Sequence, residues 1–231
     1  MSRDTLRYSA AVALTQDAID LANTLELPRF AVIGHDWGAR AVFFMAALYP
    51  ERLSALVPLG VSCSPGGRVS VPSFPQSRRF SYQWFQCTHG GSAAVRESPV
   101  AFARFLWDTW SPPGWYDDRE FEITAQTFSH PDWADLALSF YRSRWLPDEP
   151  ADPYYATLLA RAAKVQEIRV PTLIVHGAAD TCVAASESAG IEEFFPSGFQ
   201  RVVLDGVGHF PQREAPDAVA RAILDFLPSP T

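Results

Sequence analysis

Apolar residues follow two rhythms along the chain. Four short runs, Phe30–Ile33, Leu56–Val61, Val170–Gly177 and Gln200–Gly206, are apolar enough and short enough for buried strands. Pro171 opens the third, a position where a strand tolerates proline. Around these runs apolar residues recur at helical spacing. Such patterns cover Tyr8–Leu25 before the first strand, Ala39–Leu48 after it, Glu187–Phe195 before the fourth, and Ala215–Leu227 at the end. Strands alternating with helices predict an α/β fold with a mainly parallel sheet and right-handed crossovers.

The stretch between the second and third strands has another texture, rich in aromatic residues, proline and arginine. Six of the seven tryptophans lie there: Trp84, Trp107, Trp110, Trp115, Trp133 and Trp145. Helical patterns recur around Arg78–Gln86, Val100–Trp110, Glu120–Phe128 and Trp133–Trp145. A structureless loop of that length is improbable in a compact domain, so it is expected to form a helical cap inserted into the sheet domain. The expected division is residues 1–63 as a first core segment, 64–167 as the cap and 168–231 as a second core segment. No repeat or low-complexity tract interrupts it.

Composition narrows the class. The 231 residues suffice for one domain with a sizeable core, and a net charge of −7 with scattered arginines argues against nucleic acid or an anionic membrane as partner. Cys63, Cys87 and Cys182 suggest neither a disulfide framework nor a zinc site, and no metal or cofactor is implied. The first residues lack an apolar signal core, and no run has membrane-spanning length. A reduced, cytoplasmic enzyme is expected.

The chemistry centres on Gly34-His35-Asp36-Trp37-Gly38. This has the outline of a nucleophile elbow, G-x-S-x-G, with a carboxylate in place of the hydroxyl. The strand before it and the helix after it stand where an elbow requires them, with Gly34, Gly38 and Ala39 supplying small neighbours. A plain N-cap aspartate is the bland alternative. The elbow also predicts an acid and then a histidine in chain order. Asp180 follows the third strand in HGAADTCV and His209 follows the fourth in LDGVGHFPQ, both at the carboxyl edge of the sheet. Asp205 reads as a turn former, His35 as packing under the elbow and His176 as a strand end. His89 and His130 lie in the cap without ligand-like neighbours.

The run from RYSAAVALTQDAIDLANTLELPRFAVIGHDWGARAV to YPERLSALV, with PTLIVHGAAD and VVLDGVGHFPQREAP, resembles the α/β-hydrolase superfamily. Within it the Asp-nucleophile branch of epoxide hydrolases and haloalkane dehalogenases is most similar. The resemblance implies a hydrolase in which Asp36 forms a covalent alkyl ester that His209, oriented by Asp180, hydrolyses with water. A carboxylate is ionised at neutral pH, with a reference pKa near 3.9, and suits displacement at saturated carbon. SYQWFQ and FYRSRW resemble the cap segments that supply an epoxide-polarising tyrosine pair, mapped onto Tyr82 and Tyr141. Trp37 resembles the halide-binding tryptophan of dehalogenases but also occurs in epoxide hydrolases; its backbone N–H is an oxyanion donor. The aromatic cap favours a small hydrophobic substrate.

The resemblance also implies strands and an HG-x-P-type oxyanion loop that are not found before Gly34. An N-terminally truncated chain is therefore expected, with Phe30–Ile33 as an open apolar edge or completed by a partner such as a second copy. Three readings stay open: epoxide hydrolase, haloalkane dehalogenase, and a catalytically impaired fragment or binding protein with the hydrolase fold.

Overall fold

The four apolar runs form one parallel sheet whose strand order follows the chain: β1 (Phe30–His35), β2 (Leu53–Leu59), β3 (Thr172–Gly177) and β4 (Phe199–Leu204). The computed structural model describes residues 10–62, 65–67, 71–146 and 153–227. Cys63 and Ser64, where the first core segment is expected to give way to the cap, lie outside them, as does the start of the Tyr8–Leu25 pattern. β3 is buried over its whole length, which is why its sequence is a continuous apolar run. β2 starts three residues earlier than its apolar run, at Leu53.

Helices cover both faces of the sheet. On one face α1 (Ala11–Thr24) and α2 (Trp37–Leu48) bury Ile19, Val42, Phe43 and Met45 against Leu53, Leu56 and Ile174. Each such aliphatic side chain contributes roughly 1.5–3 kcal/mol when fully withdrawn from water. Thr15 Oγ1 ties the two helices together by donating to the Ala41 carbonyl at 2.7 Å. The opposite face packs Val57, Leu59, Leu173 and Val175 against Val219 of the last helix.

Between β2 and β3 the chain forms a helical insert of seven described helices. These are α3 (Phe74–Arg79), α4 (Ser81–Cys87), α5 (His89–Glu97), α6 (Pro99–Trp110), α7 (Asp118–Phe128), α8 (Trp133–Trp145) and α9 (Pro153–Ala162). After β4 come α10 (Pro211–Glu214) and α11 (Pro216–Phe226). The helix expected over Glu187–Phe195 is two separate 3-10 turns, Ala185–Ser188 and Glu192–Phe194. Gly190, at φ 69°, breaks the run between them. The single helix expected around Arg78–Gln86 is two, α3 and α4, meeting at Phe80.

Among the described residues β1 pairs on one side only, with β2. Ile33 is 50% exposed, so the edge is open as expected. No described helix is long and apolar enough to cross a membrane.

Candidate active site

Asp36 occupies the bend between β1 and α2 with φ 48° and ψ −108°. Such a backbone is strained for a residue with a side chain, and its neighbours hold it in place. The Asp36 N–H donates to the Leu59 carbonyl at 3.3 Å, and its own carbonyl accepts from the Arg40 N–H at 3.1 Å. Gly34 makes the bend possible: a Cβ there would lie 2.4 Å from the Gly38 carbonyl oxygen. Gly38 itself faces open space, so its smallness is not demanded by contacts of its own. The Trp37 N–H heads α2, where backbone donors have no acceptor within the helix.

Asp180 and His209 come from the loops after β3 and β4 and meet at Asp180 Oδ2 and His209 Nδ1, 2.8 Å apart. The other carboxylate oxygen accepts from the N–H groups of Cys182 and Val183, at 2.7 and 2.8 Å. His176 donates its Nε2 proton to the Val183 carbonyl at 2.9 Å and lies 3.4 Å from Asp180 Oδ2. Burial opposes ionisation of Asp180, but the charge of His209 and the hydrogen bond of His176 hold its pKa below the ordinary value.

The His209 loop is pinned from several sides. Its N–H donates to Ser111 Oγ at 2.8 Å, and Ser111 Oγ donates to Glu214 Oε1 at 2.6 Å. Glu214 also accepts from the Gly208 and Phe210 N–H groups, at 2.6 and 2.9 Å. His35 Nε2 donates to the His209 carbonyl at 2.7 Å, so His35 joins the elbow to this loop rather than merely packing under it. These contacts aim His209 Nε2 at Asp36 Oδ1, 3.8 Å away. Nε2 is buried and lacks a hydrogen-bond partner.

The two side chains hold each other ionised. Burial would raise Asp36, yet the charge of the facing His209 brings it down to about 2. Burial would lower His209, but Cys182 and Asp180 beside it, the hydrogen bond to Asp180 and the facing Asp36 carboxylate hold it well above the ordinary histidine value. The two side chains thus favour each other's charged forms.

Across from Asp36 the insert presents Tyr82 of α4 and Tyr141 of α8, both buried, their rings edge-to-face at 5.6 Å. Tyr141 Oη accepts from Trp37 Nε1 at 3.2 Å. Tyr82 Oη accepts from Gln83 Nε2 at 2.8 Å and lies 3.5 Å from Cys182 Sγ. Trp145 Nε1 donates to Gln83 Oε1 at 2.8 Å, which fixes the Gln83 amide with its nitrogen towards Tyr82. Burial raises the pKa of both phenols, Tyr82 well above the ordinary value, so their hydroxyls stay protonated.

All six residues singled out from the sequence, Asp36, Trp37, Tyr82, Tyr141, Asp180 and His209, are therefore brought together. Asp205 lies in an exposed turn. Sequence reasoning missed Gln83, Ser111, Cys182 and Glu214, whose contacts are with residues remote in sequence or with loop backbone. Adjacency to Tyr82, Asp180 and His209 is the only local signal that could have drawn attention to Gln83, Cys182 and Glu214.

Comparison with known proteins identifies the fold. A family model described as alpha/beta hydrolase fold matches residues 8–216. Epoxide hydrolase A of Mycobacterium tuberculosis is 27% identical, with 93% of this chain and 73% of that protein covered. The crystal structure of a candidate epoxide hydrolase from Klebsiella pneumoniae superimposes with a TM-score of 0.87 at 31% identity, covering 97% of this chain and 75% of that one. The structure of epoxide hydrolase A from Mycobacterium thermoresistibile gives 0.76 at 24% identity, covering 98% and 77%.

Proposed function

Because this chain belongs to the alpha/beta hydrolase family and is epoxide hydrolase-like within it, we propose that it hydrolyses an epoxide on an apolar body through an ester on Asp36. The observation that carries this reading is a carboxylate at the elbow, ionised and facing a histidine that a second carboxylate orients.

In the first step Asp36 Oδ attacks an oxirane carbon, and the carbon–oxygen bond of the ring breaks. The departing oxygen takes a proton from Tyr82 or Tyr141, each a buried hydroxyl. Ester formation removes the Asp36 charge, and with it one of the interactions that favour the protonated form of His209. Once its proton has passed to solvent or to the tyrosinate, His209 is neutral and serves as a base.

His209 Nε2 then takes a proton from water, and the hydroxide adds to the Asp36 carbonyl carbon. The Trp37 N–H, at the head of α2, is placed to stabilise the oxyanion. Collapse breaks the bond to the alkyl oxygen, which takes up a proton and leaves as a diol. Asp180 remains ionised throughout and keeps the imidazole oriented, the part a buried carboxylate takes in related triads.

The hydrogen bonding of Trp37 favours an epoxide over a halide. A departing halide calls for free N–H donors, and the indole N–H here is engaged by Tyr141 Oη. The seam between insert and core, with Phe80, Leu106, Phe140 and Val183 around the tyrosines, suits an apolar substrate body.

The test is turnover of styrene oxide and of 1-chlorohexane by the wild type and by the Tyr82→Phe/Tyr141→Phe variant. Loss of the proton donors lowers kcat on the epoxide by about 10²- to 10⁴-fold. Turnover of the chloroalkane, retained in the double variant, overturns the reading in favour of a dehalogenase.

A further inference from the structure

The short helix α3 buries one side chain, and it is polar: Gln76 is 2% exposed. Phe74, the apolar residue that opens the helix, is 94% exposed instead. Burying a carboxamide is costly unless both of its ends find partners. Here both do. Gln76 Nε2 donates to the Cys182 carbonyl at 2.8 Å, and Oε1 accepts from the Ala184 N–H at 3.0 Å. The side chain thus offers one donor and one acceptor to this backbone, as the peptide groups of a neighbouring strand would. Ser73 Oγ in turn caps α3 by accepting from the Gln76 N–H at 3.3 Å.

Cys182 and Ala184 belong to the loop that carries Asp180. Ahead of Asp180 that loop is tied to the core: the Ala178 and Ala179 N–H groups donate to the Leu204 and Val207 carbonyls, at 2.9 and 2.8 Å. From Asp180 onward it turns to the insert. The Asp180 carbonyl accepts from Arg79 Nη1 at 2.6 Å, and the Thr181 N–H donates to the Trp110 carbonyl at 3.2 Å. Cys182 and Val183 then supply the N–H groups that fix Asp180 Oδ1, which leaves Oδ2 for His209. Among the described residues the Cys182 carbonyl and the Ala184 N–H have no partner other than Gln76.

We infer that Gln76 is a positioning residue for the Asp180–His209 pair: it holds residues 182–184 where their N–H groups aim the Asp180 carboxylate at His209 Nδ1. It acts through Asp180 and lies outside the set of reacting atoms. The sheet places the start of the acid loop and the insert places its end, so the acid is oriented by both layers at once. The consequence for rate rests on the epoxide reading. A histidine whose carboxylate has shifted is a poorly aimed base, and misplacing a reacting group by about 1 Å costs about 100-fold. Hydrolysis of the ester slows by that order, while ester formation, which needs no base, is kept.

The test reads the pair without any chemistry at Asp36. The proton on His209 Nδ1, shared with a buried carboxylate, gives a low-field proton NMR resonance, assigned by its absence from His209→Gln. In Gln76→Met, which keeps the bulk of the side chain and removes both hydrogen bonds, that resonance moves upfield or disappears. Gln76→Asn, with the same groups one methylene short, moves it in the same direction. Ser77→Ala leaves it in place, because the Ser77 hydroxyl bonds only within α3, to the Phe74 carbonyl. With styrene oxide, Gln76→Met lowers kcat by about 100-fold and KM in step, so kcat/KM is kept. A folded Gln76→Met with the wild-type resonance overturns the inference, as does a wild type that lacks the resonance. Loss of folding in both Gln76 variants makes the side chain structural and overturns it too. A resonance that answers to position 76 in an enzyme inert to styrene oxide refutes only the epoxide reading.

Discussion

At the scale of single residues, the ion pair between Asp36 and His209 sets a pH dependence that can be read in stability as well as in rate. His209 is held above its unfolded value of 6.5, so its contribution is complete below pH 6.5 and is lost as pH rises through the folded pKa. Asp36 is held below 3.8, so its contribution is complete above pH 3.8 and is lost as pH falls towards about 2. The pair stabilises most between those two unfolded values. Thermal melts are expected to give the highest Tm in that interval and a decline on the alkaline side, which His209→Gln removes. An identical alkaline decline in wild type and variant would contradict the charge state assigned to His209. Asp36, Asp180 and His209 were legible in the sequence because each follows an apolar strand and the three come in a fixed order. Gln83 was not, because what it does depends on Trp145, remote in sequence, which fixes its amide.

At the scale of elements, the turn between β1 and α2 governs whether the nucleophile is presented at all. Its two glycines are not equivalent. A methyl group at position 34 would collide with the Gly38 carbonyl, while one at position 38 meets nothing within 4 Å. Gly34→Ala is therefore expected to shift the elbow and to lower kcat/KM by about 100-fold or more, the cost of misplacing a reacting group by about 1 Å. Gly38→Ala is expected to be tolerated and to stabilise α2 by up to about 1 kcal/mol. Steady-state kinetics and melts of the two variants check the contrast, and equal losses in both would contradict it.

β2 and β3 were readable as elements because burial on both faces makes them continuous apolar runs. The insert was readable only as helical texture. α5 begins at His89-Gly90-Gly91, and two glycines conceal a helix start. There Thr88 caps the helix, its hydroxyl accepting from the Gly91 N–H at 3.0 Å. The 3-10 turns before β4 have the apolar spacing of a helix, but Gly190 prevents one from forming.

At the scale of the whole molecule, the order of apolar runs was enough to expect a parallel sheet with an aromatic, helical insert, and among the described residues the strand order follows the chain. What periodicity could not supply is the seam between insert and sheet. Tyr82 and Tyr141 reach Trp37 and Cys182 only through the relative placement of the two layers. The chain spans 73% of the Mycobacterium tuberculosis relative and 75% of the Klebsiella pneumoniae structure. It nevertheless brings Asp36, His209, Asp180 and the tyrosine pair together in one place. The central claim is that this assembly forms an ester on Asp36, and a covalent trap tests it most directly. With His209→Gln the second half-reaction stalls, so incubation with styrene oxide is expected to add the mass of one substrate to the intact protein, located on the peptide containing Asp36. Unmodified protein after incubation, in a variant shown to be folded, would contradict the account.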